Sequence, residues 1–423
     1  MKKEFKENKQ ITRNQHYVPR FYLKNFSKIK GSGKKEKSLI SFYQLDRNLL
    51  RENIPTKSIC YEEYFYGEDG KMEKFFSNKE SEWASVINDI IKSNSYSLDI
   101  KQESLIKEFA IFQYCRTSAT YKHTNGIISE IKQKSIYEEF NYIDKGKTFN
   151  ENLEEVISIS DILNNCEEMI KCIDDLKISI IKFDTTNKLI TSDMPVIRIN
   201  PFSYDMVWLE SVGIVILFPI SNEFMVMIYD SKLYKNCSNY MVSTNEQDVI
   251  NLNKYQVMSV EERIMSNRIN ELSSISKDTK LILKRKNKYK EKVKSSFDGV
   301  GTLLAIKSRN IDYDFKLSFL KLPKELNEIP KMCKYAIKRE YTYDSWIWLL
   351  AKTYLTPNEI KKNPDCKQLD TKKIKKGYSK VQRFMNDYWN VPYSMRTITS
   401  ELMKRINSYK LSYIKVNNEN IEN

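Results

Sequence analysis

His16 sits in Gln15–Phe26 (QHYVPRFYLKNF) with Arg20 close behind it. A neutral imidazole can serve as a general base or a metal ligand near pH 7, and it can equally lock its segment into a core by bonding to backbone. Pro19 blocks an ordinary helix through His16 and predicts an extended or turned start. Asp193, in Thr191–Pro195 (TSDMP), follows an apolar run and precedes a proline. A carboxylate there could bind metal or move protons, while Ser192 and Asp193 are equally good turn or capping residues. Glu73 and Glu80 stand two turns apart on one helix face. Arg116, ending an apolar helical pattern, could clamp a phosphate or complement its helix C-terminus. Asn253 and Arg263 could line a cleft, and Asn253 could equally cap the helix around it. Together these types could build a metal-assisted phosphodiester hydrolase site. Asp193 and Glu80 would hold Mg²⁺ or Mn²⁺, His16 would activate water or bind metal, and Arg116 would stabilise phosphate charge. That chemistry requires His16, Glu80, Arg116 and Asp193 to converge in one cleft.

Around these residues the helical and strand patterns alternate unevenly. Ser38–Leu45 reads as a strand, and Lys71–Ser93, Ser104–Arg116 and Ile127–Phe140 read as helices, with Glu151–Cys172 a further helix or helical pair. Short β-branched or apolar runs then follow at Lys177–Phe183, Leu189–Thr191, Val196–Ile199, Gly213–Phe218 and Phe224–Tyr229. The stretch Lys28–Lys37 reads as an exposed loop, Gln247–Asn270 as a return to helix, and Gly299–Leu320 as a hairpin. A small, mostly antiparallel sheet in the middle of a helix-rich chain makes the fold class α+β. Residues 1–13 read as a flexible basic arm, 14–283 as the α+β domain, and 284–423 as a basic, aromatic-rich, mainly helical region.

Composition removes several function classes. The chain has 423 residues, two of them His and seven Cys, with no Cys pair spaced C-x-x-C. A structural zinc site and a three-histidine zinc centre are therefore not expected, and the thiols read as reduced. No G-x-x-x-x-G-K-[ST], G-x-G-x-x-G or G-x-S-x-G occurs, so neither a nucleotide cofactor nor haem is expected, nor a serine-hydrolase elbow. The longest apolar run, Val212–Ile220, falls far short of the ~20 residues that span a bilayer, and no apolar segment follows the basic N-terminus. A cytoplasmic location with no membrane partner is the expectation.

Charge is uneven. Residues 1–270 carry 37 basic and 38 acidic side chains, leaving 33 basic and 17 acidic of the total 70 and 55 for residues 271–423. The excess reads as a footprint for RNA or DNA, or as a solvated lysine-rich surface. On a helix over Lys372–Trp389, Lys373, Lys376, Lys380 and Arg383 would share a face and meet phosphates while an aromatic face docks into a core.

Four segments in order resemble a known family: QHYVPRFYLKNF at Gln15–Phe26, ITSDMPV at Ile190–Val196, LFPIS at Leu217–Ser221 and VINLNKYQVMSVEERIMS at Val249–Ser266. Over residues 14–270 the chain is similar to the bacterial proteins of domain-of-unknown-function family 4238. The resemblance also implies counterparts for Tyr66 in YFYG, for the paired Glu73 and Glu80, and for Arg116. It implies no established activity; a setting in phage defence or toxicity is analogy alone. The first functional reading is thus a metal-assisted nuclease. A non-catalytic nucleic-acid-binding or sensing protein is the alternative, and a structural or partner-binding protein the second alternative.

Overall fold

The computed structural model describes residues 12–93, 97–143, 157–202, 208–287, 293–297, 302–306 and 315–322. The chain divides into two units, one formed by Met1–Ile199, Val215–Tyr229 and Cys237–Phe319, the other by Asn200–Ile214, Asp230–Asn236 and Leu320–Asn423.

The first unit is α+β. It opens with β1 (Asn14–His16) and α1 (Arg20–Lys24), then β2 (Lys28–Lys30), β3 (Lys37–Gln44), β4 (Leu49–Pro55) and β5 (Tyr61–Glu63). Helices α2 (Lys71–Lys92), α3 (Ile100–Cys115), α4 (Ser118–Ile143), α5 (Ile159–Asn164) and α6 (Cys166–Lys171) follow. Next come β6 (Lys177–Phe183), β7 (Thr191–Ser192), β8 (Ile197–Ile199), β9 (Val215–Pro219), β10 (Phe224–Tyr229) and β11 (Tyr240–Ser243). The last described elements are α7 (Glu246–Ser259), β12 (Arg263–Ser266), α8 (Ile269–Lys277), α9 (Thr279–Asn287) and the hairpin β13 (Val293–Phe297)–β14 (Thr302–Ile306).

One sheet runs β11-β6-β10-β9-β8, antiparallel except for the parallel β11–β6 pair. A second runs β2-β3-β12-β7, and β4 pairs with Leu39–Gln44 of β3 on the edge opposite β12. In the first sheet β9 and β10 are buried at every residue, which explains why VILFP and FMVMIY are continuous apolar runs rather than alternating ones. Helices α2 and α3 cover it with aromatic side chains. Trp83 of α2 stacks on Phe109 of α3 at 5.0 Å between centroids, and Phe109 meets Phe218 of β9 at 5.0 Å. Helix α3 starts at a capping box in which Asp99 and Gln102 exchange side-chain-to-backbone bonds. Among the described residues no helix is long and apolar enough to cross a membrane.

Three sequence expectations are corrected. Lys28–Lys37 is not all loop, because Lys28–Lys30 pairs with Lys37–Leu39 as β2 on β3. Gln247–Asn270 is not one helix: α7 ends at Ser259, and Arg263–Ser266 forms β12 between β3 and β7. Ladder pairing on both edges outweighs the local helical pattern of VEERIMS, a tertiary override of propensity. The hairpin lies at Val293–Ile306, earlier than Gly299–Leu320.

The second unit is described at 200–202, 208–214, 230–236 and 320–322. Its hinge of packing is Gly213, held at φ +78 with its N–H donating to Asp230 Oδ2 at 2.9 Å and its carbonyl accepting from Tyr234 Oη at 3.0 Å. A side chain there would meet Phe202 Cβ at 2.6 Å, so only glycine fits both the conformation and the space.

Candidate functional site

The N-terminal motif is a staple through the first unit. Tyr17, Val18, Tyr22, Leu23 and Phe26 are buried. Tyr22 donates from Oη to the Pro219 carbonyl at 2.7 Å and shares a 2.7 Å bond with Thr191 Oγ1, tying α1 to both sheets at once. Asn25 Nδ2 donates to the Ile220 carbonyl at 3.1 Å. The segments QHYVPRFYLKNF, ITSDMPV and LFPIS are therefore neighbours in space.

His16 extends β1 against Tyr61 of β5, and Pro19, at φ −60 and ψ 142, ends the extended segment where α1 begins. Its carbonyl accepts from Tyr66 Oη at 3.0 Å and from Arg116 Nη2 at 2.8 Å. The His16 imidazole lies beside the Lys57 and Thr56 backbone, and its Nε2 is buried without a hydrogen-bond partner among the described residues. Burial first, then the charges of Arg20 and Arg116, push the imidazole down to about 4 against the opposing pull of that backbone, so it is neutral at pH 7.

Arg116 is the junction. It is 1% exposed, its Nε donates to Tyr66 Oη at 2.9 Å, and the Nη2 that reaches His16 also pairs with Glu80 Oε1 at 2.8 Å. Its guanidinium lies over the Phe76 ring at 4.0 Å. Burial opposes the charge, but Tyr66 and Glu80 outweigh it and hold the guanidinium pKa above its ordinary value. Glu73, one repeat before Glu80, is half-buried; burial and then the Glu80 charge raise its carboxyl pKa, with Arg116 opposing. Gln15, fully buried, accepts from the Tyr66 N–H at 2.6 Å and donates to the Gly67 carbonyl at 3.1 Å.

Asp193 has different partners. Its two carboxylate oxygens accept the backbone N–H groups of Glu261, Glu262 and Arg263 at 3.0, 2.7 and 2.9 Å, and its own N–H donates to the Arg263 carbonyl at 3.1 Å. Burial raises its pKa to about 6 against those three bonds. Ser192 Oγ donates to Gln256 Oε1 at 2.7 Å and accepts the Met194 N–H at 3.1 Å. Asn253 bonds to Ile190 N and Lys188 O at 3.0 and 2.9 Å, an α7-to-strand latch rather than a cap. Arg263 pairs with Glu262 at 3.2 Å and stands 5.5 Å over Phe42.

Of the four residues required to converge, His16, Glu80 and Arg116 are joined through the Arg116 fork, whereas Asp193 is engaged by the 261–263 backbone. The donors assigned to Mg²⁺ or Mn²⁺ are engaged elsewhere: Asp193 accepts three backbone N–H groups and Glu80 pairs with Arg116. Among the described residues no three His, Cys, Asp or Glu side chains gather as a metal site. Arg116, fully enclosed, is not a clamp for an outside phosphate. Lys373, Lys376, Lys380 and Arg383 lie outside the described residues.

Arg20 leads to a feature the sequence reading missed. It lines a groove of about 630 Å³ with Lys24, Lys35, Lys37 and Lys57, along with the acidic Glu36. Glu36 pairs with Lys24 at 2.7 Å, and no carboxylate among the described residues pairs with the other four cations. The Thr56–Lys57 backbone beside the His16 imidazole is part of this wall. The signal was present in KGSGKKEK (Lys30–Lys37) and in the one-turn spacing of Arg20 and Lys24.

His16 supplies a pH test. Unfolded, its pKa is about 6.5; folded, it is about 4. The native state binds fewer protons in this window, so the contribution is complete above pH 6.5 and is lost as pH falls through 4. Asp193, raised when folded, runs the opposite way: its contribution is present below its ordinary value and is lost as pH rises through about 6. Comparison of wild type with His16→Asn isolates the first term. The stability advantage of wild type should shrink by about 2 kcal/mol between pH 7 and 4, allowing for partial exposure of the ring. A pH-independent difference in urea midpoints would mean the imidazole is not held neutral.

No curated protein and no solved structure gives a match to this chain. The family model described as "Protein of unknown function (DUF4238)" matches residues 14–270. All four motif segments fall inside that span and supply the staple and the Asp193 latch, Tyr66, Glu80 and Arg116 of the junction lie inside it as well, and the chain belongs to this family.

Proposed function

We propose that the protein binds nucleic acid through its phosphates. The observation that carries this reading is the groove in which Arg20, Lys35, Lys37 and Lys57 have no carboxylate partner among the described residues. Lysines scattered on a solvated surface need not share a concavity; four in one groove raise the local potential and favour a polyanion. The excess of basic over acidic residues after 270 adds long-range attraction for the same class of ligand. Neutralising one or two phosphates of a single strand in the groove predicts that log affinity falls with log salt at a slope of about −1 from this site, steeper where further basic residues also engage. Fluorescence anisotropy with labelled single-stranded RNA, single-stranded DNA and duplex DNA, titrated at several salt concentrations, tests it. Absence of binding at low salt would sink the proposal.

A hydrolytic second reading is favoured by one observation: His16, behind the Thr56–Lys57 wall of the groove, carries a neutral imidazole whose Nε2 has no hydrogen-bond partner among the described residues. In that reading the base is His16, and Mg²⁺ or Mn²⁺ would have to be held by donors other than a free Asp193. Cleavage of the same substrates in Mg²⁺ or Mn²⁺, abolished by EDTA and by His16→Asn in a folded protein, would establish it. Binding without cleavage would leave the first reading standing alone.

A further inference from the structure

We infer, resting on the nucleic-acid reading above, that the groove between α1, the Gly33–Lys35 turn and the Thr56–Ser58 turn receives a nucleoside phosphomonoester, carried on a strand end or as a free mononucleotide. Size comes first. A groove of about 630 Å³ lies in the range of small-ligand sites, roughly 300–1,000 Å³, and holds one or two nucleotides. A duplex, whose major groove alone is about 12 Å wide, cannot enter it.

Charge density narrows the ligand. An internal phosphodiester carries one negative charge, whereas a phosphomonoester, with a second pKa of about 6, carries nearly two at pH 7. Arg20, Lys35, Lys37 and Lys57 present four uncancelled positive charges to one small volume, and Glu36 does not reduce them because it is spent on Lys24. Arg20 offers the planar fork that pairs two phosphate oxygens at once, and the lysines act as point charges around it.

The walls also carry groups beyond charge. Phe21 is half-buried, with its ring held 5.4 Å from Phe109, and supplies the aromatic surface against which a base can stack. Thr56 is a buried hydroxyl in the lining. These elements are braced before a ligand arrives: Tyr22 anchors α1 to Pro219, and β3 holds the lysine-bearing turn through β2. Little ordering is left to oppose binding.

Titration calorimetry on the full chain tests this with tetranucleotides bearing a phosphate at the 5′ end, at the 3′ end or at neither, and with uridine monophosphate. A phosphorylated strand should bind about tenfold tighter than the unphosphorylated one. Arg20→Ala combined with Lys57→Ala, both exposed positions, should erase that preference, and Lys101→Ala, exposed on α3 away from the groove, should keep it. Binding of uridine monophosphate as well would identify a free mononucleotide as a sufficient ligand; binding of the phosphorylated strand alone would identify the strand end. Equal binding of all three tetranucleotides overturns the inference while the nucleic-acid reading survives. A preference that persists in the double variant overturns the groove as its seat. If no tetranucleotide or mononucleotide binds, the inference falls, and if long single strands also fail to bind at low salt, the parent reading falls with it.

Discussion

Arg116→Met is expected to lower stability by about 3–5 kcal/mol, the cost of breaking a buried ion pair by removing one partner. The loss is large because one side chain satisfies three groups: the Tyr66 hydroxyl, the Glu80 carboxylate and the His16 carbonyl. Methionine fills the space over Phe76 but donates nothing, leaving a buried carbonyl and hydroxyl short of a partner. Arg116→Lys should recover little, since an ammonium on a flexible stem cannot reproduce a planar fork. The urea midpoint of the full chain reads both effects. A loss below about 1 kcal/mol for Arg116→Met would show that the junction contributes no more than an exposed ion pair.

Asp193→Ala should cost about 2–4 kcal/mol at pH 7. The carboxyl group accepts three backbone N–H groups, and a methyl group leaves all three without their acceptor. The turn at Glu261–Arg263 sets the register of β12 against β3, with Arg263 opposite Gln44, so its loosening should spread into that sheet. Hydrogen exchange at Ile264 and Met265, compared between wild type and variant, follows that spread. Unchanged protection there would mean that the strand pairing, not the Asp193 latch, holds the turn.

The four motif segments were legible because their constraints are local in sequence and severe in space. Pro19 did stop the extended strand and start α1, and four of the short apolar runs from Lys177 onward did become β6, β8, β9 and β10, while Leu189–Thr191 meets β7 only at Thr191. Tyr22, Asn25, Ser192 and Asn253 could be flagged as special, yet their partners lie on distant segments that no spacing reveals. Residue type alone also could not separate chemistry from architecture. Asp193 and Arg116 have the side chains of a phosphodiesterase, and the three N–H groups and the enclosing Tyr66 and Phe76 that occupy them are tertiary facts. β12 was read as helix because its pairing comes from strands more than 70 and 200 residues earlier. The groove was missed for the opposite reason: its lysines are individually ordinary, and only the β2–β3 turn and the Thr56–Ser58 turn bring them beside Arg20.

The placement of β12 between β3 and β7 has a consequence for how this chain is made. On the edge of β3 that β4 does not occupy, Ser41 to Gln44 find their ladder partners in Arg263–Ser266, and Tyr22 finds Thr191 and Pro219. At a synthesis rate of roughly 5–20 residues per second, the N-terminal strand and motif wait roughly 13–50 s for residue 266 to appear. During that interval β3 has an unpaired edge, with apolar Ile40 and Phe42 beside it. The β2–β3–β4 meander, closed by short turns, can form first and shield one side of that edge until β12 arrives. A nascent chain halted before β12 therefore presents an open β-edge to its neighbours, and chaperone engagement would be concentrated on that half-made sheet.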